Sequence, residues 1–389
     1  MTDVPATHLP PSLGTPEFRL VAAACAAAAR QTSLDVSQAS VDARTVAALI
    51  ERHRLSAPVM HLVAGALVDP AVAAKLTGRA RRQRVLGLEQ ARQTVMLSQA
   101  LKAAGIAHFT VKGAALSQAL YGDVSARASK DIDLLVDPAR MGEAGDVIAA
   151  CGFVRTDHDT GEVRKHRTYA AGAIQIELHN RLVDLPAYVP LGFDALWSRR
   201  ATVSLLGQDI SVMGEIDTLL YLCAHGSEHV WFRLKWLQDI ARIIVRDRDG
   251  SAVVAAQDAA RAAGFDRVLA AMLALVADVF DIRPALLRKA LSRKAPSSND
   301  SAYTRRAVAL ARTALAAPAE LAHVPTVGWI VRRLLVQWGS RRDWRYRRAL
   351  LADIATGPRS FDTERVGSWG LLHLPARAVR FWRSRRRHA

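Results

Sequence analysis

Residues 131–136, Asp-Ile-Asp-Leu-Leu-Val, put two carboxylates two positions apart at the head of an apolar run. The run is rich in strand-forming types and reads as a β-strand. In a strand, residues i and i+2 face the same side, so Asp131 and Asp133 point one way while Ile132 points the other. Two acids side by side repel by a few kcal/mol at moderate dielectric. Such a strand is held by a cation between the acids, or it is a strand end whose acids are solvated or paired to Arg127 or Lys130. Asp-x-Asp alone does not separate the two.

The neighbourhood of the pair does. Ile106–Val111 reads as a strand, Lys112-Gly113 follows it, and a short helix runs from Ala114 to Tyr121. The first N–H groups of a helix are unpaired and attract anions, and a glycine lets a phosphate come close to the backbone. A third acid, Glu177, stands between apolar residues in Ala173–His179, a strand paired as a hairpin with Arg167–Ala171 through Ala171-Gly172. Pro138 opens a further helix that Gly152 stops. A helix start for phosphate and three acids on neighbouring strands suit metal-assisted phosphoryl or nucleotidyl transfer. Oxygen-only ligands favour Mg²⁺.

The remaining chain is helical. Leu88, Ala91, Val95 and Leu101 mark an apolar face on a stretch that Gly105 ends. Val203 and Ile210 sit in a short strand pair around Gly207. After Gly214, helices are expected at Glu215–His229, Leu234–Val245, Ala252–Ala263, Arg267–Phe280 and Pro284–Leu291. The expected class is α+β: a small mixed β-sheet core with helices, flanked by N-terminal helices and a C-terminal helical domain. The expected division is an arm at 1–16, a helical region at 17–104, the α/β core at 105–213, a helical substrate-side domain at 214–300 and an Arg-rich region at 301–389.

These motifs resemble a known family. Val111–Val136, "VKGAALSQALYGDVSARASKDIDLLV", is similar to the bacterial "uncharacterised nucleotidyltransferase" family, within the polymerase-beta-type nucleotidyltransferase superfamily. The likeness runs through "CGF", "IELH" and "LLYLCAHGSEHVWFRLKWLQDIARII", over about residues 85–250. It implies a metal-dependent enzyme moving an NMP from an NTP donor to a hydroxyl acceptor. The acceptor, whether small molecule, polysaccharide precursor, protein or RNA, stays open. Asp131, Asp133 and Glu177 would be catalytic and hold Mg²⁺, two ions, with Mn²⁺ as the alternative. Lys112, Gly113, Ala114, Ser117, Lys130 and His179 are the candidates for the nucleotide side. One departure stands out: alanine occupies 114, where the superfamily often has a phosphate-touching serine. Ser117 is the next hydroxyl, a helical turn later.

Other polar residues have plainer readings. His225 and His229 share a helix face with Glu228 beside them, but lack an evident third zinc ligand, so packing or an acceptor-site role is preferred. Trp231, Trp236 and Asp239 read as core and a buried polar contact, with Asp239 beside Arg242 as a helix ion pair. His179 shares its face with Glu177, and His108 is structural.

Composition limits the rest. Cys25, Cys151 and Cys223 are too few and too scattered for a disulfide framework or a thiolate zinc cluster, which fits a reducing cytoplasm. Leu20–Ala29 reads as a helix rather than a signal, and Val268–Ala277 as a core helix too short to span a bilayer. The net charge is +17, of which residues 301–389 carry +13 with 18 Arg and no Lys. Arginines interleaved with aromatics at 341–348 and 377–387 suit an anionic membrane surface or nucleic acid, or a solvated helix face. The expected location is cytoplasmic, with a peripheral inner-membrane site as the variant. The competing reading is a non-catalytic binding or regulatory protein on the same fold, which the three filled acid positions disfavour.

Overall fold

The computed structural model describes residues 14–34, 41–157, 165–189, 191–282, 298–317 and 327–356. Four helices come first: α1 (Pro16–Arg30), α2 (Ala43–Arg52), α3 (Ala57–Ala66) and α4 (Pro70–Ala103). Thr15, Asp42 and Asp69 cap α1, α2 and α4 by accepting hydrogen bonds from backbone N–H groups of the first turn. The α/β part follows as β1 (His108–Thr110), α5 (Gly113–Tyr121), β2 (Ile132–Val136), α6 (Met141–Ala150), β3 (Val154–Arg155), β4 (His166–Ala171) and β5 (Ile174–His179). Next come α7 (Phe193–Ser198) and a ribbon of β6 (Ala201–Leu205) and β7 (Gln208–Val212). The described residues continue through α8 (Glu215–Glu228), α9 (Leu234–Arg246), α10 (Ser251–Ala262), α11 (Asp266–Phe280), α12 (Ser298–Ala316), α13 (Val327–Gly339) and α14 (Trp344–Thr356).

The five-stranded sheet has the order β1-β2-β5-β4-β3. Only β2 and β5 pair in parallel; the other neighbours are antiparallel. The sheet is therefore mixed, and the class is α+β. The turn of the β4–β5 hairpin is Gly172-Ala173, one residue later than the sequence suggests, with Gly172 at φ 56°. The strand expected at 131–136 starts at Ile132, and Asp131 stands at its mouth.

The two sheet faces have different partners. Ile132, Leu134, Val136, Ile174, Ile176 and Leu178 pack with Leu97, Leu101 and Ile148 of α4 and α6. The opposite face carries Asp133, Glu177 and His179 and looks toward the helices that follow. Those helices share a larger core with the N-terminal ones. The apolar run of α1 is buried in it, and Arg30 donates to the carbonyls of Phe280 and Asp281 at the end of α11. The N-terminal helices and the helical half after Gly214 thus bury a common apolar surface.

Three expectations shift. Leu88 is 51% exposed rather than on the buried face of α4. That face is rotated onto Gly87, Ala91, Thr94 and Leu101, because α4 passes so close to the loop after α5 that a Cβ on Gly87 would sit 3.1 Å from the Ser125 Cα. Second, Arg341 and Tyr346 of the Arg-aromatic stretch are buried, and Arg341 donates to the Tyr188 carbonyl at 2.8 Å. That part of the basic region belongs to the fold. Third, Arg242 does not pair with Asp239; its donors go to the carbonyls of Leu120 and Ala29 and to Gln31 Oε1. The helix expected at Pro284–Leu291 and the tail from Arg377 lie outside the described residues. Among the described residues, no helix is long and apolar enough to cross a membrane.

Candidate active site

The parallel pairing of β2 with β5 sets Asp133 opposite Glu177 and Leu135 opposite His179. The β4–β5 hairpin then sets His166 opposite His179. Four polar side chains converge on one face. His179 Nε2 lies 3.0 Å from Asp133 Oδ1 and 3.3 Å from Glu177 Oε2. His179 therefore holds both acids, the role its same-face spacing allowed.

The electrostatics are those of a crowded anionic group. Asp133 is 4% exposed, yet its carboxyl is held well below the usual range. Burial opposes ionisation there, but Lys112, the hydrogen bond with His179 and Arg127 outweigh it. Asp131 moves the other way, raised by burial and then by the charges of Asp133 and Glu177. Glu177 is lowered despite its burial, chiefly through the hydrogen bond with His179. The ionised form of one carboxyl of the cluster is thus disfavoured by burial and by its neighbours, the state a bound cation would relieve.

Helix α5 begins beside the acids. Gly113 has φ 63°, in the left-handed region, and a Cβ there would stand 3.6 Å from the Asp131 carbonyl. Ser129 Oγ donates to that same carbonyl at 2.9 Å, fixing the chain as it enters β2. The opening N–H groups of α5 are thereby brought next to Asp131. The Ala114 side chain packs with Ala91, Ala115, Leu205 and Ile210 and faces away from the site, leaving its backbone as the useful part.

Ser117 is a correction. It is fully buried, donates to the Asp123 carbonyl at 2.6 Å and accepts from the Arg127 N–H at 2.9 Å. Its hydroxyl is consumed in shaping the loop between α5 and β2, so it does not serve a phosphate. Lys130 is exposed on that loop, next to Asp131 in sequence. Arg127, one of the two cations considered as partners of the acids, instead pairs with Asp239 of α9 at 2.8 Å in a fully buried bridge. Lys235 Nζ, also on α9, donates to the Ala128 carbonyl at 3.0 Å, and its pKa is pushed down to about 7 by burial and by Arg127.

Opposite the sheet face stands a wall from α8 and α9. Lys112 Nζ lies 5.0 Å from the centre of the Tyr221 ring. Tyr221 leads to His225 at 5.9 Å, and His225 to His229 at 4.8 Å; Trp236 stacks on His229 at 5.3 Å. Burial depresses both histidines, His225 well below the usual range and His229 to about 4, so neutral rings line this wall. Beside them Glu228 Oε1 accepts from the Asp184 N–H at 3.0 Å, while Asp184 pairs with Lys165 at 3.3 Å. Burial raises Glu228 to about 7, and its Oε2 has no hydrogen-bond partner. Among the described residues no third ligand joins His225 and His229, and both rings lie against Trp236. His108 is structural, bonded to Ser98 Oγ and the Ile106 carbonyl.

His166, Lys165 and Tyr221 are absent from the residues that the sequence singles out. His166 could have been found: a two-residue turn at 172–173 pairs Ala171 with Ile174 and hence His166 with His179. Lys165 and Tyr221 reach the site through tertiary packing, for which the sequence holds no local signal.

A search of curated protein sequences finds no match. The solution structure of the antibiotic-resistance factor ANT(2'')-Ia is 15% identical, covering 44% of this chain and 90% of that one, at a TM-score of 0.33. The crystal structure of an antigenic nucleotidyltransferase-like protein from Paracoccidioides brasiliensis is 15% identical, covering 53% and 93%, at a TM-score of 0.32. The model of the uncharacterised nucleotidyltransferase family matches residues 39–281, well over half of the chain and all of the site just described, and the protein belongs to that family.

Proposed function

We propose that the protein is a divalent-metal-dependent nucleotidyltransferase that moves an NMP from an NTP to a hydroxyl acceptor. The observation that carries this is the register of β2 and β5, which sets Asp133 and Glu177 side by side with Asp131 at the strand mouth. The donor set fits Mg²⁺: three carboxylates, all oxygen, one of them raised by burial and then by the charges of the other two. When bound, Mg²⁺, or Mn²⁺ in its place, would neutralise the triphosphate and lower the pKa of the acceptor hydroxyl, as in two-metal transfer.

The chain's own residues have separate parts in this reading. Asp131, Asp133 and Glu177 would hold the metal, and His179 keeps two of them in place. The N-terminus of α5, opened by Gly113, receives phosphate through backbone N–H groups, and Lys112 adds positive charge nearby. The acceptor oxygen forms its bond to the α-phosphorus as the bond to the bridging oxygen breaks, releasing pyrophosphate, while the hydroxyl proton leaves to solvent or a base. The neutral wall of His225, His229 and Trp236 faces this place and suits the acceptor. The Arg-rich segment after Leu374 would bring the enzyme to an anionic surface.

The test supplies each of the four NTPs with Mg²⁺ and measures nucleotide binding and pyrophosphate release across a panel of hydroxyl acceptors. Wild type is expected to bind at least one NTP only when Mg²⁺ is present. Unchanged binding in the Asp131→Asn/Asp133→Asn variant would overturn the reading.

A further inference from the structure

We infer that His166, Glu177 and His179 form a binding site for a later divalent transition cation of the Zn²⁺ type, set beside the all-oxygen position of Asp131 and Asp133. This deepens the proposed function, because Glu177 is common to both positions.

The placement is fixed by backbone pairing. His166 and His179 are direct partners across β4 and β5, and Glu177 lies two residues before His179 on the same strand face. The two imidazole rings stand 5.0 Å apart. One ligand atom from each of the three residues lies within 4.8 Å of the others. Ligands about 2.0–2.2 Å from a metal are roughly 3–4 Å apart, so the three close on an ion with small side-chain adjustments. A fourth donor is at hand, since Asp133 Oδ1 lies 3.0 Å from His179 Nε2.

A second observation asks for a partner there. His166 Nδ1 is buried and has no hydrogen-bond partner. A buried polar atom left unpaired is unfavourable, and a coordinated metal would satisfy it. The donor chemistry then selects the ion. Magnesium takes oxygen ligands and keeps its waters, whereas two imidazoles with one carboxylate suit the later divalent ions. The two cation positions of the site would thus differ in kind: oxygen-only at Asp131 and Asp133, nitrogen-containing at His166 and His179.

The experiment uses the full chain, stripped with chelator and titrated by calorimetry with Zn²⁺ in saturating Mg²⁺. Co²⁺ serves as a spectroscopic stand-in. One ion per chain is expected above any background. His166→Ala is expected to weaken Zn²⁺ binding by about tenfold or more and to remove the visible Co²⁺ band. His179→Ala is expected to do the same; if it fails to fold for want of the contacts to Asp133 and Glu177, His166→Ala decides alone. Equal Zn²⁺ affinity and equal Co²⁺ spectra in wild type and His166→Ala would overturn the inference. Zn²⁺ binding that depends on His166, with no Mg²⁺-dependent NTP binding, would instead leave this site standing and remove the nucleotidyltransferase reading.

Discussion

Asp133 and Glu177 lie directly opposite each other on parallel neighbouring strands, and one histidine, His179, contacts both carboxylates. Parallel partners present their side chains to the same face, so the pairing alone juxtaposes two acids separated by 44 positions in the chain. Asp131 at the mouth of β2 bears the cost in the absence of a cation, raised by burial and by both of these charges, and that cost can be measured separately from activity.

Asp131→Asn removes one charge from the group while keeping the side chain's shape. With chelator present, the variant is expected to melt about 2 °C or more above wild type, because Asp131 is raised by burial and by repulsion from Asp133 and Glu177. Nucleotide turnover is expected to fall by about 10³-fold or more. Thermal melts with chelator and with Mg²⁺ check both parts: added Mg²⁺ should stabilise wild type and leave the variant nearly unmoved.

Gly113 offers a test of the phosphate side. Its φ of 63° is strained for any residue with a Cβ, at about 1–2 kcal/mol. The space is open, since the nearest atom to an added Cβ is at 3.6 Å, so the effect is conformational. Gly113→Ala is expected to weaken NTP binding by roughly tenfold. Gly122→Ala, at φ 73° on the other end of α5, carries similar strain and should leave NTP affinity alone. Equal losses in the two variants would point to general destabilisation.

Much of this site could be read from the chain because its parts are local. Asp131 and Asp133 declare their shared face by strand alternation, and Glu177 and His179 do so again. Gly113 marks the strand-to-helix turn. The misreadings came where a side chain's partner is distant in sequence. Ser117 looked available because nothing nearby shows that the Asp123 carbonyl and the Arg127 N–H consume its hydroxyl. Asp239 has Arg242 three residues on, the spacing of a helix ion pair, yet it bonds Arg127 across 112 positions. The parallel register of β2 and β5 is equally non-local, and it converts three scattered acids into one site.

The Arg127–Asp239 bridge should behave as a buried pair. Its atoms are 2.8 Å apart, and both side chains are almost fully shielded from water. Removing one partner strands a buried charge. Arg127→Ala and Asp239→Ala are each expected to destabilise by about 3–5 kcal/mol. Arg127→Met/Asp239→Leu should recover most of that loss in urea unfolding. Additive losses in the double variant would show that the two residues act independently.

The tail can be separated from the site. Residues after Leu374 contain six arginines and no acid. Ending the chain at Leu374 is expected to weaken binding to vesicles of anionic lipid, with the remaining binding less sensitive to salt, and to leave Mg²⁺-dependent NTP binding within about twofold. Sedimentation with anionic and with neutral vesicles measures the first, and calorimetry the second. Unchanged sedimentation would return these arginines to a solvated role.

Glu228 sets a pH dependence that can be isolated by one substitution. Burial raises its carboxyl from 4.5 to about 7, while Lys165 acts in the opposite sense. The folded protein therefore holds this proton more firmly than the unfolded chain does. Between pH 4.5 and about 7 unfolding releases it, so the contribution is favourable below that window and is lost as the pH rises through it. Glu228→Gln keeps an oxygen for the Asp184 N–H and cannot ionise. Relative to wild type, the variant is expected to gain about 3 kcal/mol on going from pH 4.5 to 8. Urea unfolding of both proteins at the two pH values gives this difference directly, with the titrations of Asp131 and His179 cancelling between them. A difference of the opposite sign would mean that Lys165 holds Glu228 ionised in the folded protein, and the wall beside the acids would then carry a charge rather than present neutral groups to an acceptor.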